Sequence, residues 1–271
     1  VADERIMMAQ TTAIPDIQAK PDSRKIAIDR VGVKSVRYPI RLREKGGGEQ
    51  QTVATVDMYV SLPHHQKGTH MSRFLEVLNE YAHPLTPDCI SVVARAIRER
   101  LNAELAHIRI AFPYFIQKEA PVTRAPGLMD YEVVFEATCN HNDDFVMRVK
   151  APATSLCPCS KEISEYGAHN QRCEIEAAVR TGGTMWIEDL VEHLEEAASA
   201  PVYACLKRPD EKFVTEQAFD NPKFVEDIVR DLASGLEGDE RVEWYSISSE
   251  NFESIHNHSA FAEITRSKGD G

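Results

Sequence analysis

The chain has 271 residues, 42% of them hydrophobic and 27% charged, a composition suited to one large globular domain or two small ones. Its 31 Lys and Arg against 43 Asp and Glu leave a net charge of −12. That field argues against a general nucleic-acid or anionic-membrane partner and, on the same reasoning, against a polyanionic substrate.

Residues 1–30 carry Pro15 and Pro21, show no sustained period and read as a mobile or loosely docked arm, with ordered structure expected from near Val31. No apolar run approaches the roughly 18–20 residues of a membrane span, and the arm lacks the apolar core of a signal peptide. The six cysteines are accordingly expected to be reduced cytosolic thiols, some of them metal ligands. Val36 to Arg43 reads as a strand and Glu44 to Gln51 as a Gly-rich turn. Thr52 to Leu62 is the partner strand, with Ala54, Val56, Met58, Val60 and Leu62 alternating on one face. Met71, Phe74, Leu75 and Leu78 then stripe a short helix. Pro84 and Pro87 end it, and Asp88 caps a second helix whose stripe runs Ile90, Val93, Ile97, Leu101, Leu105. Ile108 to Gln117 and Tyr131 to Cys139 alternate as strands.

The order repeats. Phe145 to Ala153 and Arg172 to Thr181 read as strands, and Trp186, Leu190, Val191 and Leu194 stripe a helix after Gly182 and Gly183. A second helical stretch runs from about Lys212 to Leu236, interrupted at Asn221-Pro222. Arg241 to Ser249 and Glu253 to Arg266 read as closing strands. The expected fold class is α+β, with two tandem ββααββ units (31–142 and 143–271), antiparallel sheets and helices on one face. The alternative is one continuous α+β domain. Two helices cover each sheet poorly, so the sheets are expected to need each other and further subunits.

Three clusters carry chemistry. Cys157-Pro158-Cys159-Ser160-Lys161 is followed by His169 and Cys173, borderline-soft ligands at a spacing short enough to converge on one ion. The one-residue spacer is unusual for a closed structural zinc site, and in an extended Cys-Pro-Cys both side chains share a face. Cys173, in an alternating strand, fits a buried thiol equally well. The segment Pro63 to Arg73 holds no acid and ends where a helix begins. Lys67, His70 and Arg73, with the helix N–H groups, would make a phosphate cradle or else a solvated basic loop. His256 and His258, two apart in the expected last strand, would share a face suited to proton transfer or metal binding. Glu211 and Glu226 do not stand out by pattern.

Thr55-Val56-Asp57-Met58, Lys67-Gly68-Thr69-His70-Met71-Ser72-Arg73-Phe74 and Cys157-Pro158-Cys159-Ser160-Lys161 with Gly167-Ala168-His169-Asn170-Gln171-Arg172 closely resemble the type IB GTP cyclohydrolases. The resemblance runs from about Val31 to Ile264. It implies the tunnelling fold, a homotetramer with active sites at subunit interfaces, a cytoplasmic location and conversion of GTP and water to 7,8-dihydroneopterin triphosphate and formate. It implies a divalent metal, zinc or manganese, on Cys157, His169 and Glu211, and no nicotinamide or flavin. Cys157, Cys159, His256 and His258 are then the catalytic candidates, Glu226 the guanine reader, and Lys67, His70 and Arg73 the triphosphate contacts. Two alternatives stand beside it: a nitrile reductase of deazapurine metabolism on the same fold, and a zinc-stabilised binding protein without chemistry.

Overall fold

Thirteen inward side chains between Ala54 and Ala153 illustrate how the fold is laid down: strand after strand, every second residue is apolar and buried, and its neighbours face outward.

 The thirteen are Ala54, Val56, Met58, Val60 and Leu62, then Tyr131, Val133, Phe135 and Ala137, then Met147, Val149, Ala151 and Ala153. The structure, a computed structural model, describes residues 16–18, 20–81 and 84–268. In chain order the elements are β1 (Ile28–Arg43), β2 (Glu49–Leu62), α1 (Met71–Glu80), α2 (Ile90–Leu101), β3 (Ala106–Glu119) and β4 (Pro126–Cys139). There follow β5 (Asp143–Leu156), α3 (Pro158–Ile163), β6 (Asn170–Thr181), α4 (Ile187–Glu196), β7 (Ala200–Pro201), α5 (Arg208–Asp220), α6 (Val225–Gly238), β8 (Val242–Asn251) and β9 (Ala260–Ser267).

The described strands form one antiparallel sheet of nine, in the order β1-β2-β3-β4-β5-β6-β8-β9, with β7 on β5. β4 pairs with β5 through Glu132↔Lys150 to Cys139↔Asp143, so the sheet runs unbroken from the first half of the chain into the second. One apolar core lies between its inward face and the helices, with Phe74 of α1, Ile97 of α2, Leu190 of α4 and Leu232 of α6 buried against it. Phe135 anchors its centre, meeting Phe112 and Phe145 edge-on at ring-centroid distances of 5.2 and 5.6 Å. Each such fully buried side chain contributes roughly 1.5–3 kcal/mol. The other face of the sheet is charged, with cross-strand pairs such as Arg148–Glu176 at 2.5 Å and Arg109–Glu136 at 3.3 Å.

Several expectations change. β1 begins at Ile28, before Val36, because its register shifts between Val33 and Val36 and so breaks the alternation that marks a strand. Within that bulge Ser35 takes φ +58° and its N–H donates to the buried carboxylate of Asp57 at 2.7 Å. Gly32 lies so close to β2 that a Cβ would stand 2.0 Å from the Met58 carbonyl oxygen. Helix α2 stops at Leu101, not at Leu105, because Asn102 turns left-handed at φ 50° and its N–H closes on Glu99. The second helical stretch begins earlier, at Arg208, and is two separate helices divided by Asn221-Pro222, while α3 adds a further short one.

The arm differs too. Residues 1–15 lie outside the described residues, but the part that follows is docked: Lys67 and Gly68 donate their N–H groups to the carbonyls of Lys20 and Gln18, and Asp22 donates to His65. His256 and His258 are not in a strand. They sit in the connection from β8 to β9, where Ser254, Asn257 and Ser259 interrupt the apolar alternation.

Candidate active site

The site begins where β5 and β6 run out. Leu156↔Asn170 is their last strand pair, and one step further the N–H of Cys157 donates to the carbonyl of His169 at 3.1 Å. The two predicted ligands, twelve residues apart in sequence, are therefore adjacent on neighbouring strands. Pro158 opens α3 at the position where its missing N–H costs nothing. The helix ends the extended run, so Cys159 does not share a strand face with Cys157; Cys157 is half-buried and Cys159 exposed. Ser160 ties the corner, its hydroxyl donating to the Cys157 carbonyl and accepting from the His169 N–H, each at 3.1 Å. Gly167, at φ +125°, supplies the turn into His169 that other residues adopt only with strain. Cys173 is fully buried in the apolar core on the inward face of β6, as the buried-thiol reading expects, and burial pushes its thiol up to about 12.

Beneath His169 lies a bed of buried polar side chains that sequence reasoning did not single out. The Nδ1 of His169 is 3.0 Å from Gln171 Oε1, and Gln171 Nε2 reaches Glu253 Oε1 at 3.4 Å and Ser155 Oγ at 3.5 Å. Ser155 donates to the Lys223 carbonyl at 3.1 Å and accepts from Asn251 Nδ2 at 3.0 Å, and Ser249 donates to Asn251 Oδ1 at 3.3 Å. The signal was present in the strands: at the inward positions, Ala151-Ala153 gives way to Ser155, Ile247 to Ser249 and Asn251, and Cys173 to Gln171. The apolar stripe turns polar on each of the three strands at the site end.

The elements that carry the other candidates pack against this corner. The β8–β9 connection packs against it through Phe252 N–H to the Arg172 carbonyl (3.0 Å) and Ser254 Oγ near His169 Nδ1 (3.4 Å). It carries His256 and His258, whose rings stack at 5.1 Å and 16°. Lys223 N–H donates to the Leu156 carbonyl, which fixes the start of α6 and with it Glu226 in the first turn. Helix α5 is held at both ends. Lys161 donates to the Phe219 carbonyl at 2.5 Å with its ammonium 4.3 Å from the Phe219 ring centroid. At the other end, buried Asp210 accepts from the Val122 and Thr123 N–H groups, the Thr123 hydroxyl and the Lys207 N–H, at 2.6–2.9 Å. Glu211 follows it, exposed. The carboxylates of Glu211 and Glu226 make no hydrogen bond or ion pair with the described residues. An open cleft of about 670 Å³ runs beside the corner, lined by Leu156, Tyr166, Ala168, Asn170, Thr215 and Phe219.

Cys157 sulfur, His169 nitrogen and a carboxylate are a donor set that suits a divalent transition ion. The chain brings the first two together and leaves the third apart: among the described residues no three His, Cys, Asp or Glu side chains are grouped to hold a metal.

The basic loop lies elsewhere. Lys67 is exposed, His70 is the N-cap of α1 with Nε2 3.2 Å from Asp16 Oδ2, and Arg73 sits in the first turn. The loop's own N–H groups at Lys67 and Gly68 are occupied by the carbonyls of the arm. The loop follows the end of β2, level with Asp143 at the start of β5, whereas Cys157 follows the other end of β5. The 14 residues of β5 span roughly 45 Å, and three strand spacings add or subtract only about 15 Å. More than about 25 Å therefore separates the loop from the Cys157–His169 pair, farther than one nucleoside triphosphate reaches.

No helix among the described residues is long and apolar enough to cross a membrane. Solved urate oxidases have a similar fold at sequence identities too low to speak to function. That of Bacillus sp. TB-90 matches with a TM-score of 0.52 at 8% identity over 89% of this chain and all of that one (100%). A hyper-thermostable AgUricase mutant matches at 0.51 and 9% over 90% and 93%. They identify the architecture as the tunnelling fold. A family model described as type I GTP cyclohydrolase folE2 matches residues 14–262. The GTP cyclohydrolase FolE2 of Nitrosococcus oceani is 53% identical over 264 residues, 97% of this chain and 99% of the relative, and that of Geobacter sulfurreducens is 53% identical over 255 residues, 94% and 99%. A match that spans both the Cys157–His169 corner and the basic loop at this identity places the chain in the type I GTP cyclohydrolase folE2 family.

Proposed function

We propose that this chain converts GTP and water to 7,8-dihydroneopterin triphosphate and formate, the entry step of folate biosynthesis, at a site built around Cys157 and His169. The observation that carries the location is the backbone pairing of those two residues just past the ends of β5 and β6, above a buried polar bed that meets the His169 ring. Cys157, His169 and Glu211 would hold a divalent ion, zinc or manganese. A metal in such an open site supplies an activated water, its pKa lowered toward about 7, for attack on C8 of the guanine ring.

The other residues bind, orient and move protons. Guanine presents N1–H and N2–H₂ donors along one edge, and the unpaired carboxylate of Glu226 is the matching acceptor pair. His256 and His258, stacked and exposed in the connection whose Ser254 meets His169, carry protons to and from the imidazole-ring nitrogens and the ribose oxygen during opening and re-closure. Cys159, in the first turn of α3 and exposed, is a further proton donor at the same corner.

Lys67, His70 and Arg73 take the triphosphate from a second copy of the chain, because within one chain they lie too far from Cys157. The tandem units 31–142 and 143–271 thus contribute opposite halves of a shared site in a cytoplasmic homotetramer. The test is metal-reconstituted protein with GTP, followed by formate release and by a fluorescent pterin after oxidation. Cys157→Ala, His169→Ala and Glu211→Ala should each lose bound metal and at least about 10³-fold in turnover. Full turnover in any one of them removes that residue from the ligand set.

A further inference from the structure

We infer that Gln171 is a positioning residue: its carboxamide oxygen holds the proton of His169 on Nδ1 and so presents Nε2 as the lone-pair donor of the site. The inference rests on the reading of His169 as a metal ligand and adds a residue and a role to it.

The polarity of the hydrogen bonds leads to this assignment. A carboxylate only accepts, so the contact of Gln171 with Glu253 Oε1, at 3.4 Å, places the amide nitrogen on the Glu253 side. The same nitrogen faces Ser155 Oγ at 3.5 Å, and that hydroxyl has already given its proton to the Lys223 carbonyl, 3.1 Å away, so it too accepts. Asn251 Nδ2 is its second donor, at 3.0 Å. With the amide nitrogen fixed between two acceptors, Gln171 Oε1 faces the imidazole at 3.0 Å and can only accept. The ring nitrogen opposite it, Nδ1, carries the hydrogen. Ser254 Oγ, 3.4 Å from the same nitrogen and on an exposed residue, both donates and accepts and follows the tautomer that Gln171 sets.

Burial supports a role other than stability. Gln171 is 8% exposed, Asn251 2%, and Ser155 and Ser249 fully buried, at inward positions where the apolar stripe of each strand ends. Continuing the apolar stripe would bury more hydrophobic surface and avoid the cost of dehydrating polar groups. The bed instead fixes every donor and acceptor between Lys223 and His169, and outer partners of this kind set ring orientation and ligand strength in metal sites.

The experiment records ¹⁵N shifts of the His169 ring in the metal-free full-length chain, and zinc and manganese affinity by competition with a chelator. The wild type should show the Nδ1–H tautomer. Gln171→Met, nearly isosteric and without an acceptor, should shift the ring toward Nε2–H and weaken metal binding by about 10–100-fold with its melting temperature near that of the wild type. The exchanged pair Gln171→Glu with Glu253→Gln keeps an acceptor facing Nδ1 and should retain the wild-type tautomer. An Nε2–H ring in the wild type, or a Gln171→Met chain with unchanged tautomer and affinity, overturns the inference. His169→Ala tests the ligand reading separately: wild-type metal affinity in that variant overturns it, and the tautomer then judges Gln171 alone.

Discussion

Glu226 stands in the first turn of α6 with an exposed carboxylate and no partner among the described residues, while its neighbour Asp227 is used as an internal cap, accepting from the Phe224 N–H at 2.9 Å. Two adjacent acids thus have different tasks: one closes the helix and the other is free for a ligand. Replacing Glu226 by Gln keeps size and shape but turns one acceptor into a donor that opposes the guanine N–H groups. GTP turnover efficiency should fall by about 10–100-fold, the cost of a charged hydrogen bond lost and a polar group left unpaired. The discriminating measurement is the ratio of kcat/KM for GTP and inosine triphosphate, which lacks the exocyclic amine. The ratio should collapse in Glu226→Gln, and an unchanged ratio would take guanine recognition away from this residue.

At the scale of elements, helix α4 is clamped between the β1–β2 turn and the start of β8. Asp189 accepts from Lys45 Nζ at 2.5 Å, Arg241 at 2.8 Å and the Trp186 N–H at 2.9 Å, and the Arg241 fork also holds Asp239 at 2.7 and 3.0 Å. Arg241 holds the Asp239 carboxyl well below the usual range; at Asp189 burial pushes upward, and the hydrogen bonds from Lys45, Trp186 and Arg241 outweigh it. Both carboxylates are depressed in the folded state, so their stabilisation is present above the unfolded value of about 4 and is lost as the pH falls below it. Arg241→Ala should cost about 1–2 kcal/mol at neutral pH, less than for a fully buried pair because the Arg241 side chain is 37% exposed. Urea melts should show that cost shrinking toward about pH 3, and a constant cost would mean that Arg241 acts through packing alone.

The same scale explains what was legible. Strands with unbroken alternation, such as β4 and β6, are readable from side chains alone, as are the stripes of α1 and α4. A bulge hid the first part of β1, and a left-handed Asn102 ended α2 against its own stripe. Cys157, His169 and the basic loop are local motifs and visible as such. Gln171, Ser155 and Asn251 form their bonds across as many as 96 residues of chain, so no local spacing announces them; only the change from apolar to polar at the strand ends does. His256 and His258 do face together, but as stacked rings in a loop, a geometry that strand periodicity does not describe.

For the whole molecule, the net charge of −12 excludes a broad anionic partner and says little about GTP, because the acid-free segment from Pro63 to Arg73 acts locally and distant charges are screened beyond about 8–10 Å. That segment runs into the first turn of α1 and lies more than about 25 Å from Cys157 and His169. The sheet is open, with β1 and β9 each paired on one side only among the described strands, so it has edges through which copies can associate. If each active site unites His169 of one copy with Lys67 of another, Lys67→Ala and His169→Ala chains should be nearly inactive alone yet restore each other when refolded together. Random association puts an intact His169 opposite an intact Lys67 in about one quarter of the sites of a symmetric assembly, so an equimolar mixture should regain about a quarter of the wild-type rate. The control is the double variant mixed with wild type, which should form no such sites beyond those of the wild-type chains themselves. A mixture of the single variants that gives no more than the sum of its parts would place Lys67 and His169 in one chain's site and would require the basic loop to move across the sheet to reach it.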